Sequence, residues 1–184
     1  MSEKEKMLAG ELYNPTEINL TNSRTKCKIL CQKYNNIIYD NFKERTKLIK
    51  SILGKTKEKF FIEQPFFCDY GYNIEIGENF YSNHNLIILD PAPVCFGDNV
   101  FIGPNCGFYT AEHPLDYKIR NQELEYAKPI KIGNNVWFGG SVTVLSGVTI
   151  GNNVVVAAGA VVVNDIEDNS LVAGVPAKKI KSLP

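Results

Sequence analysis

The chain is poor in several things that metalloenzymes, membrane proteins and nucleic-acid binders need. Its 184 residues include two histidines and one tryptophan, so a site built on three histidine ligands fails on counting. Five cysteines (Cys27, Cys31, Cys68, Cys95, Cys106) follow no zinc or redox spacing. Cys27 and Cys31 stand one helical turn apart, which reads as shared packing. Basic and acidic residues number 20 each, so no net charge draws the protein to nucleic acid or an anionic bilayer. No stretch approaches the roughly 18–20 apolar residues of a membrane span, and the charged start Met1-Ser2-Glu3-Lys4-Glu5-Lys6 leads into no apolar signal segment. The expected location is the cytoplasm.

What the chain has in abundance is a period. Apolar residues recur every six positions at Ile132, Phe138, Val144, Ile150, Val156 and Val162. Four positions after each lies another: Val136, Val142, Val148, Val154, Ala160 and Ile166. Six is neither the 3.6 of a helix nor the alternation of a half-buried strand. It suits a parallel β-helix in which three hexads make one triangular turn, with β-branched residues packed inside. Gly133, Asn134, Asn135, Gly139, Gly151, Asn152 and Asn153 fall at the corners, where glycine and asparagine tolerate positive φ. Less regular hexads open at Ile76, Phe96 and Ile102. Asp90-Pro91-Ala92-Pro93 shifts the frame by two, and about one turn's worth of chain, Thr110 to Lys128, is expelled as a loop. In such solenoids an insertion often carries the binding site.

The expected organisation is therefore a helical segment over residues 1–56 and a β-helix over 57–184. Helix is predicted over 21–54, with an N-cap in Thr21-Asn22-Ser23, a break near Asn35-Asn36 and Gly54 as C-cap. Phe60 to Cys68 reads as one apolar strand-like run. Asp165 to Asn169 leaves the coil, and Val172 to Ala177 forms one last extended segment.

Three places could carry chemistry. His113 lies in the expelled loop before Pro114, held towards extended backbone, and its imidazole can take a proton from a hydroxyl near neutral pH. Asp69, Tyr81, Asn83 and Asp90 lie one or two hexads apart, so their carboxylate, phenol and amide groups could line one groove and grip sugar hydroxyls. Gly140 has no side chain, so a ligand can reach its backbone N–H; Trp137 points outward beside it. A corner residue or a loop histidine that merely packs is the alternative in each case.

Taken together these motifs resemble the hexapeptide-repeat acyltransferases, in their maltose and galactoside O-acetyltransferase branch. Met7 to Tyr13 resembles the amino-terminal motif of that branch, Tyr70 to Gly77 and Asn79 to Asn83 its first coil. His113-Pro114-Leu115-Asp116 resembles its catalytic loop, and Ala173-Gly174-Val175-Pro176-Ala177 its carboxy-terminal signature. The resemblance implies a left-handed parallel β-helix, all-β dominated with a helical amino-terminal segment and an excluded loop. It also implies acetyl transfer from acetyl-CoA to a sugar hydroxyl, with no metal and with His113 as general base. Asp69, Tyr81 and Asn83 would meet the sugar, with Arg24 reaching in from the helices. Gly140 would meet the thioester, Ala158 and Val163-Asn164 the pantetheine arm, and Lys178 and Lys181 the nucleotide phosphates. Two departures stand out: Val163-Asn164 replaces a hydroxyl-plus-lysine pair, and Pro91 replaces a carboxylate. Asp69 with Glu125-Tyr126 leans towards the maltose-type enzyme. The resemblance further implies a homotrimer with active sites between subunits. A galactoside or antibiotic acetyltransferase, and a β-helix scaffold without chemistry, are the alternative readings.

Overall fold

The computed structural model describes all residues from Met1 to Pro184. The chain opens with three helices. α1 (Glu3–Ala9) starts on a capping box in which Ser2 and Glu5 satisfy each other's backbone N–H, and ends at Gly10 in the left-handed conformation. It lies in the segment expected to be helical but ahead of the stretch, 21–54, over which the sequence predicts helix. α2 (Ile18–Asn35) begins a turn earlier than expected, because the Glu17 carboxylate, not Thr21 to Ser23, caps the N–H groups of Asn19 and Leu20. α3 (Phe42–Ile52) starts on Asn41 and ends at Leu53. Gly54 is glycine for another reason: a Cβ there would lie 2.2 Å from the Tyr72 carbonyl oxygen.

The coil follows turn by turn. The first turn is β1 (Lys55–Thr56), β2 (Phe60–Ile62) and β3 (Phe66–Cys68); the second is β4 (Ile74–Ile76), β5 (Phe80–Ser82) and β6 (Leu86–Leu89). The third is β7 (Val94–Phe96), β8 (Val100–Ile102) and β9 (Gly107–Tyr109). An inserted ribbon then holds β10 (Ala111–Glu112), α4 (Tyr117–Arg120) and β11 (Tyr126–Ala127). The fourth turn is β12 (Ile130–Ile132), β13 (Val136–Phe138) and β14 (Thr143–Val144); the fifth is β15 (Thr149–Ile150), β16 (Val154–Val156) and β17 (Val161–Val162). β18 (Ser170–Ala173) and β19 (Lys178–Ser182) close the chain.

Stacking makes three parallel faces: β1-β4-β7-β12-β15, then β2-β5-β8-β13-β16-β18, then β3-β6-β9-β14-β17. We refer to them as the first, second and third faces. The architecture is the expected left-handed parallel β-helix, and it begins at Lys55, inside the segment expected to be helical. Phe60 to Cys68 is two strands around a corner at Gln64-Pro65. The coil also runs on past Asp165, since Ile166 bridges to Ile150 and β18 joins the second face. The last segment is a hairpin, with β19 antiparallel on β18, which covers the final strand edge.

Most of the longer strands bury their first and third residues and leave the second half-buried or exposed, so most hexads contribute two side chains to the interior. Phe80, Phe96, Phe108 and Phe138 form an edge-to-face column, with successive centroids 5.2, 5.0 and 5.2 Å apart. Phe108 is fully buried in it, so Phe108→Ala should cost about 3–5 kcal/mol, read as a lowered urea midpoint with little change in m-value. At one end α2 and α3 close the column: Cys27, Cys31, Tyr34, Ile49 and Ile52 belong to the same core as the strands. The Tyr34 hydroxyl and the buried Arg45 guanidinium both donate to the Ile62 carbonyl at that end.

The corners follow two separate rules. Asn79, Asn99, Asn135, Asn153 and Asn169 take φ between 53° and 57°; of the four asparagines expected to do so, Asn135 and Asn153 are among them and Asn134 and Asn152 are not. Gly133, Gly139 and Gly151 do not need positive φ. Each is glycine because a Cβ would strike the neighbouring coil, for instance 2.5 Å from Ala158 N at Gly139. At the corner between the first and second faces, each coil caps its neighbour. Asp98 accepts from Glu78 N, Asn134 from Asp98 N, Asn152 from Asn134 N and Asp168 from Asn152 N, all within 2.6–2.8 Å.

Candidate active site

The insertion leaves between β9 and β12, so it replaces one corner between the third and first faces and no turn of the coil is missing. Its root is fixed by Thr110, fully buried, whose hydroxyl donates to the Leu89 carbonyl at 2.8 Å and accepts from Ala92 N at 3.1 Å. β10 and β11 pair antiparallel, and Tyr13 pairs with Glu125 through two backbone hydrogen bonds, 2.9 and 3.1 Å. The ribbon is thus sewn to the amino-terminal segment, and His113 follows directly after β10.

His113 stands at the mouth of a cavity of about 380 Å³. Its Nε2 is 3.7 Å from Glu125 Oε1, and Glu125 Oε2 accepts from the Tyr13 hydroxyl at 2.9 Å. Burial first, then the Glu125 charge, pushes the Tyr13 phenol above its usual range, so it stays a donor to that carboxylate. Arg24 reaches in from α2 as expected: Nη1 donates to the Tyr70 hydroxyl at 2.7 Å and Nη2 to the Pro15 carbonyl at 2.6 Å. Asp69 lies on the same wall, its Oδ1 3.4 Å from Lys28 Nζ. His113, Glu125, Arg24 and Asp69 therefore converge on one cavity, together with Tyr13 and Tyr70. Tyr13 and Tyr70 lie inside the motifs that carry the resemblance, but nothing in their spacing says that both line this cavity.

Asp90 stands corrected. Fully buried, it offers no surface to an acceptor. Its Oδ1 accepts from the backbone N–H of Asp69 and Tyr70, at 3.0 and 2.8 Å, and so holds the corner that presents Asp69. Burial raises its carboxyl pKa to about 7, with the nearby Asp69 charge adding to the rise, although backbone N–H donors oppose it. An acid whose folded pKa lies above its unfolded value of about 3.9 is penalised when ionised. The penalty is absent below about pH 4, grows as pH rises towards 7 and is complete above it. A shift of about three units corresponds to roughly 4 kcal/mol. Wild-type stability should therefore fall between about pH 4 and 7, and Asp90→Asn should flatten that fall, measured by urea midpoints across the range. A slope unchanged in the variant would exclude Asp90 as its source.

The single groove expected for Asp69, Tyr81, Asn83 and Asp90 does not exist within one chain. Asp69 and Asp90 are one coil apart at the third–first corner. Tyr81 is on the second face, stacked on Phe61 with centroids 6.4 Å apart, and Asn83 is at the second–third corner. The reason is spacing. Early coils advance by 20 residues, as the Asn79–Asn99 and Asn85–Asn105 side-chain ladders show, so 12 residues from Asp69 to Tyr81 carry the chain onto another face.

The second–third corner holds the other half of the predicted set. Gly140 and Ala158 occupy it on successive coils, Gly159 N donating to the Gly140 carbonyl at 2.9 Å. The N–H groups of Gly140 and Ala158 have no acceptor in the chain. Lys178 pairs with Ala173 near the same corner, one coil further on, and Lys181 follows along exposed β19. Trp137 is exposed on the second face between Phe101 and Val155. Val163 and Asn164 follow β17 on the opposite side of the third face, above the His113 edge. Apart from Tyr81 and Trp137, which lie on the second face, the predicted site residues split into two sets at opposite edges of the third face. Three strand residues plus corners put roughly 10–15 Å between them.

A triangular coil closed by helices, with a histidine-bearing ribbon at one corner and free backbone donors at another, has the build of a hexapeptide-repeat transferase. Residues 6–57 match the maltose acetyltransferase hexapeptide capping motif. Residues 129–164 match the bacterial transferase hexapeptide family, six repeats. The chain is 44% identical to a maltose O-acetyltransferase from Clostridium difficile 630, with a TM-score of 0.98 over 100% of this chain and 98% of that one. A galactoside acetyltransferase in complex with coenzyme A is 38% identical, with a TM-score of 0.97 over 100% and 92%. A hexapeptide-repeat-containing acetyltransferase from Vibrio cholerae, complexed with acetyl coenzyme A, is 39% identical, with a TM-score of 0.91 over 100% of both. The chain belongs to the hexapeptide-repeat acetyltransferases, in the branch of the maltose and galactoside O-acetyltransferases. No helix is long and apolar enough to cross a membrane.

Proposed function

We propose that this protein moves an acetyl group from acetyl-CoA to a hydroxyl of a sugar such as glucose, maltose or a related glycoside. The observation that carries the reading is the cavity of His113, Glu125, Arg24 and Asp69 facing an adjoining aromatic wall of Tyr13 and Tyr70. A polyhydroxylated ring needs such a mixture of charged acceptors, donors and apolar faces. The activities named for the relatives support the same class.

The donor suits the second–third corner. Gly140 and Ala158 offer two unclaimed N–H groups on successive coils, and small residues keep the approach open; Lys178 and Lys181 supply positive charge further along for phosphates. Acetyl-CoA supplies the activated acyl group. The Gly140 N–H, aimed at a developing oxyanion, is worth roughly 10²–10³ in rate. At the other edge, His113 accepts the acceptor's hydroxyl proton on its imidazole. Glu125, held by Tyr13, orients that ring and offsets the charge it gains. Neither edge alone holds both reactants. A closed ring of three chains, laying the His113 edge of one protomer against the Gly140 edge of the next, completes the site.

The test is a panel of glucose, maltose, galactosides and aminoglycosides with acetyl-CoA, scored by free-thiol release. Glucose or maltose should give the highest kcat/KM. Turnover confined to aminoglycosides would replace the sugar reading with a xenobiotic one, and thiol release with no acceptor would remove both.

A further inference from the structure

Cys27 and Cys31 point from α2 onto the end of β3, where Cys68 meets them. Their three sulfurs lie within 4.8 Å of one another, with Cys68 Sγ 3.5 Å from Cys27 Sγ and 3.7 Å from Cys31 Sγ. All three thiols are free and buried. The proposed acetyl transfer uses none of them, and none lines the His113 cavity. With metal–thiolate bonds of about 2.3 Å, the sulfur–sulfur edge of a tetrahedral site is about 3.8 Å. The cluster therefore stands close to ligand spacing with little rearrangement needed. One side opens: a cavity of about 550 Å³ is lined by Cys31, Cys68, Lys28 and Asp69 among others. It gives an ion a way in and leaves room for water as a fourth ligand, and Lys28 lies where it can offset thiolate charge.

We propose that Cys27, Cys31 and Cys68 form a trithiolate site for one thiophilic d¹⁰ cation of the zinc type, pinning α2 to the first coil. On binding, three S–H bonds break, three protons leave to solvent, and each sulfur donates an electron pair to the ion. No electron is transferred, so no oxidant is needed. Soft thiolates at tetrahedral spacing select such ions over magnesium or calcium, which prefer oxygen. The site shares Asp69 with the wall of the His113 cavity, but none of its three ligands takes part in the proposed transfer.

The full-length protein, reduced and kept anaerobic, should be titrated with Cd²⁺ as a spectroscopic surrogate. The expected result is one cadmium per chain, an ultraviolet thiolate-to-cadmium charge-transfer band, and a native mass equal to one cadmium added and about three protons lost. Cys31→Ser should weaken cadmium binding by at least about tenfold, whereas Cys95→Ser, on the outer side of the first face, should leave the band intact. Should Cys31→Ser not fold, the wild-type native mass still decides. A band that vanishes in Cys95→Ser, no uptake at stoichiometric cadmium, or a Cys31–Cys68 disulfide formed in air by protein that takes up no metal when reduced would each overturn the assignment.

Discussion

His113→Ala is expected to lose between about 10² and 10⁴ in turnover while still binding acetyl-CoA. The two effects separate because the groups proposed to hold the donor, Gly140, Ala158, Lys178 and Lys181, lie across the third face from His113. Removing the imidazole takes away the proton acceptor and leaves that corner untouched. Steady-state thiol release would give the loss in kcat, and calorimetric titration with coenzyme A the unchanged affinity. A variant that turns over like wild type would remove His113 as the base. A variant that loses coenzyme A binding as well would mean that the ribbon, rather than the imidazole, had been damaged. Glu125→Gln should fall less steeply than His113→Ala, since it acts only through the ring that it faces at 3.7 Å.

Equal mixtures of two inactive variants should recover about a quarter of wild-type activity if they are refolded together, and none if they are mixed already assembled. The variants are His113→Ala, which lacks the base, and Gly140→Pro, which lacks the backbone N–H. If the site spans two chains, it is intact when one half comes from a Gly140→Pro chain and the other from a His113→Ala chain. Random assembly in a closed ring makes that about one half times one half. A site contained in one chain can never be restored this way. The expectation rests on geometry: roughly 10–15 Å of strand and corner separate the two edges, and the rigid coil has no hinge to bring them together. Complete absence of recovery, with mixed trimers verified by mass, would refute the shared site.

Much of the fold was legible because a coil is nearly one-dimensional. Ile132 to Val162 keep strict six-residue steps, so inward positions could be read off directly. His113 could be found because the frame breaks after Phe108 and resumes at Ile132. Other features were hidden for identifiable reasons. Glu17 is a rare capping residue, so the sequence signals a later start for α2 than the structure has. Glycine at corners suggests positive φ, whereas crowding between coils at Gly133, Gly139 and Gly151 is the cause. The Asp69–Tyr81–Asp90 grouping assumed that hexad steps alone bring residues together, but the coil advances by 20 residues early and by 18 between Asn134 and Asn152.

By itself the sequence determined a repetitive β coil with a helical start and one expelled, histidine-bearing segment. These follow from local rules, six-residue hydrophobic periodicity and corner chemistry, that act within a few neighbours along the chain. Only the tertiary structure decided which edge each side chain occupies. It buried Asp90 beneath Asp69, brought Tyr13 to Glu125 across 112 residues, gathered three cysteines from α2 and β3, and parted His113 from Gly140. Such placements depend on how many residues each corner consumes and on what the helices cover, and the coil sums those lengths before any two distant residues meet.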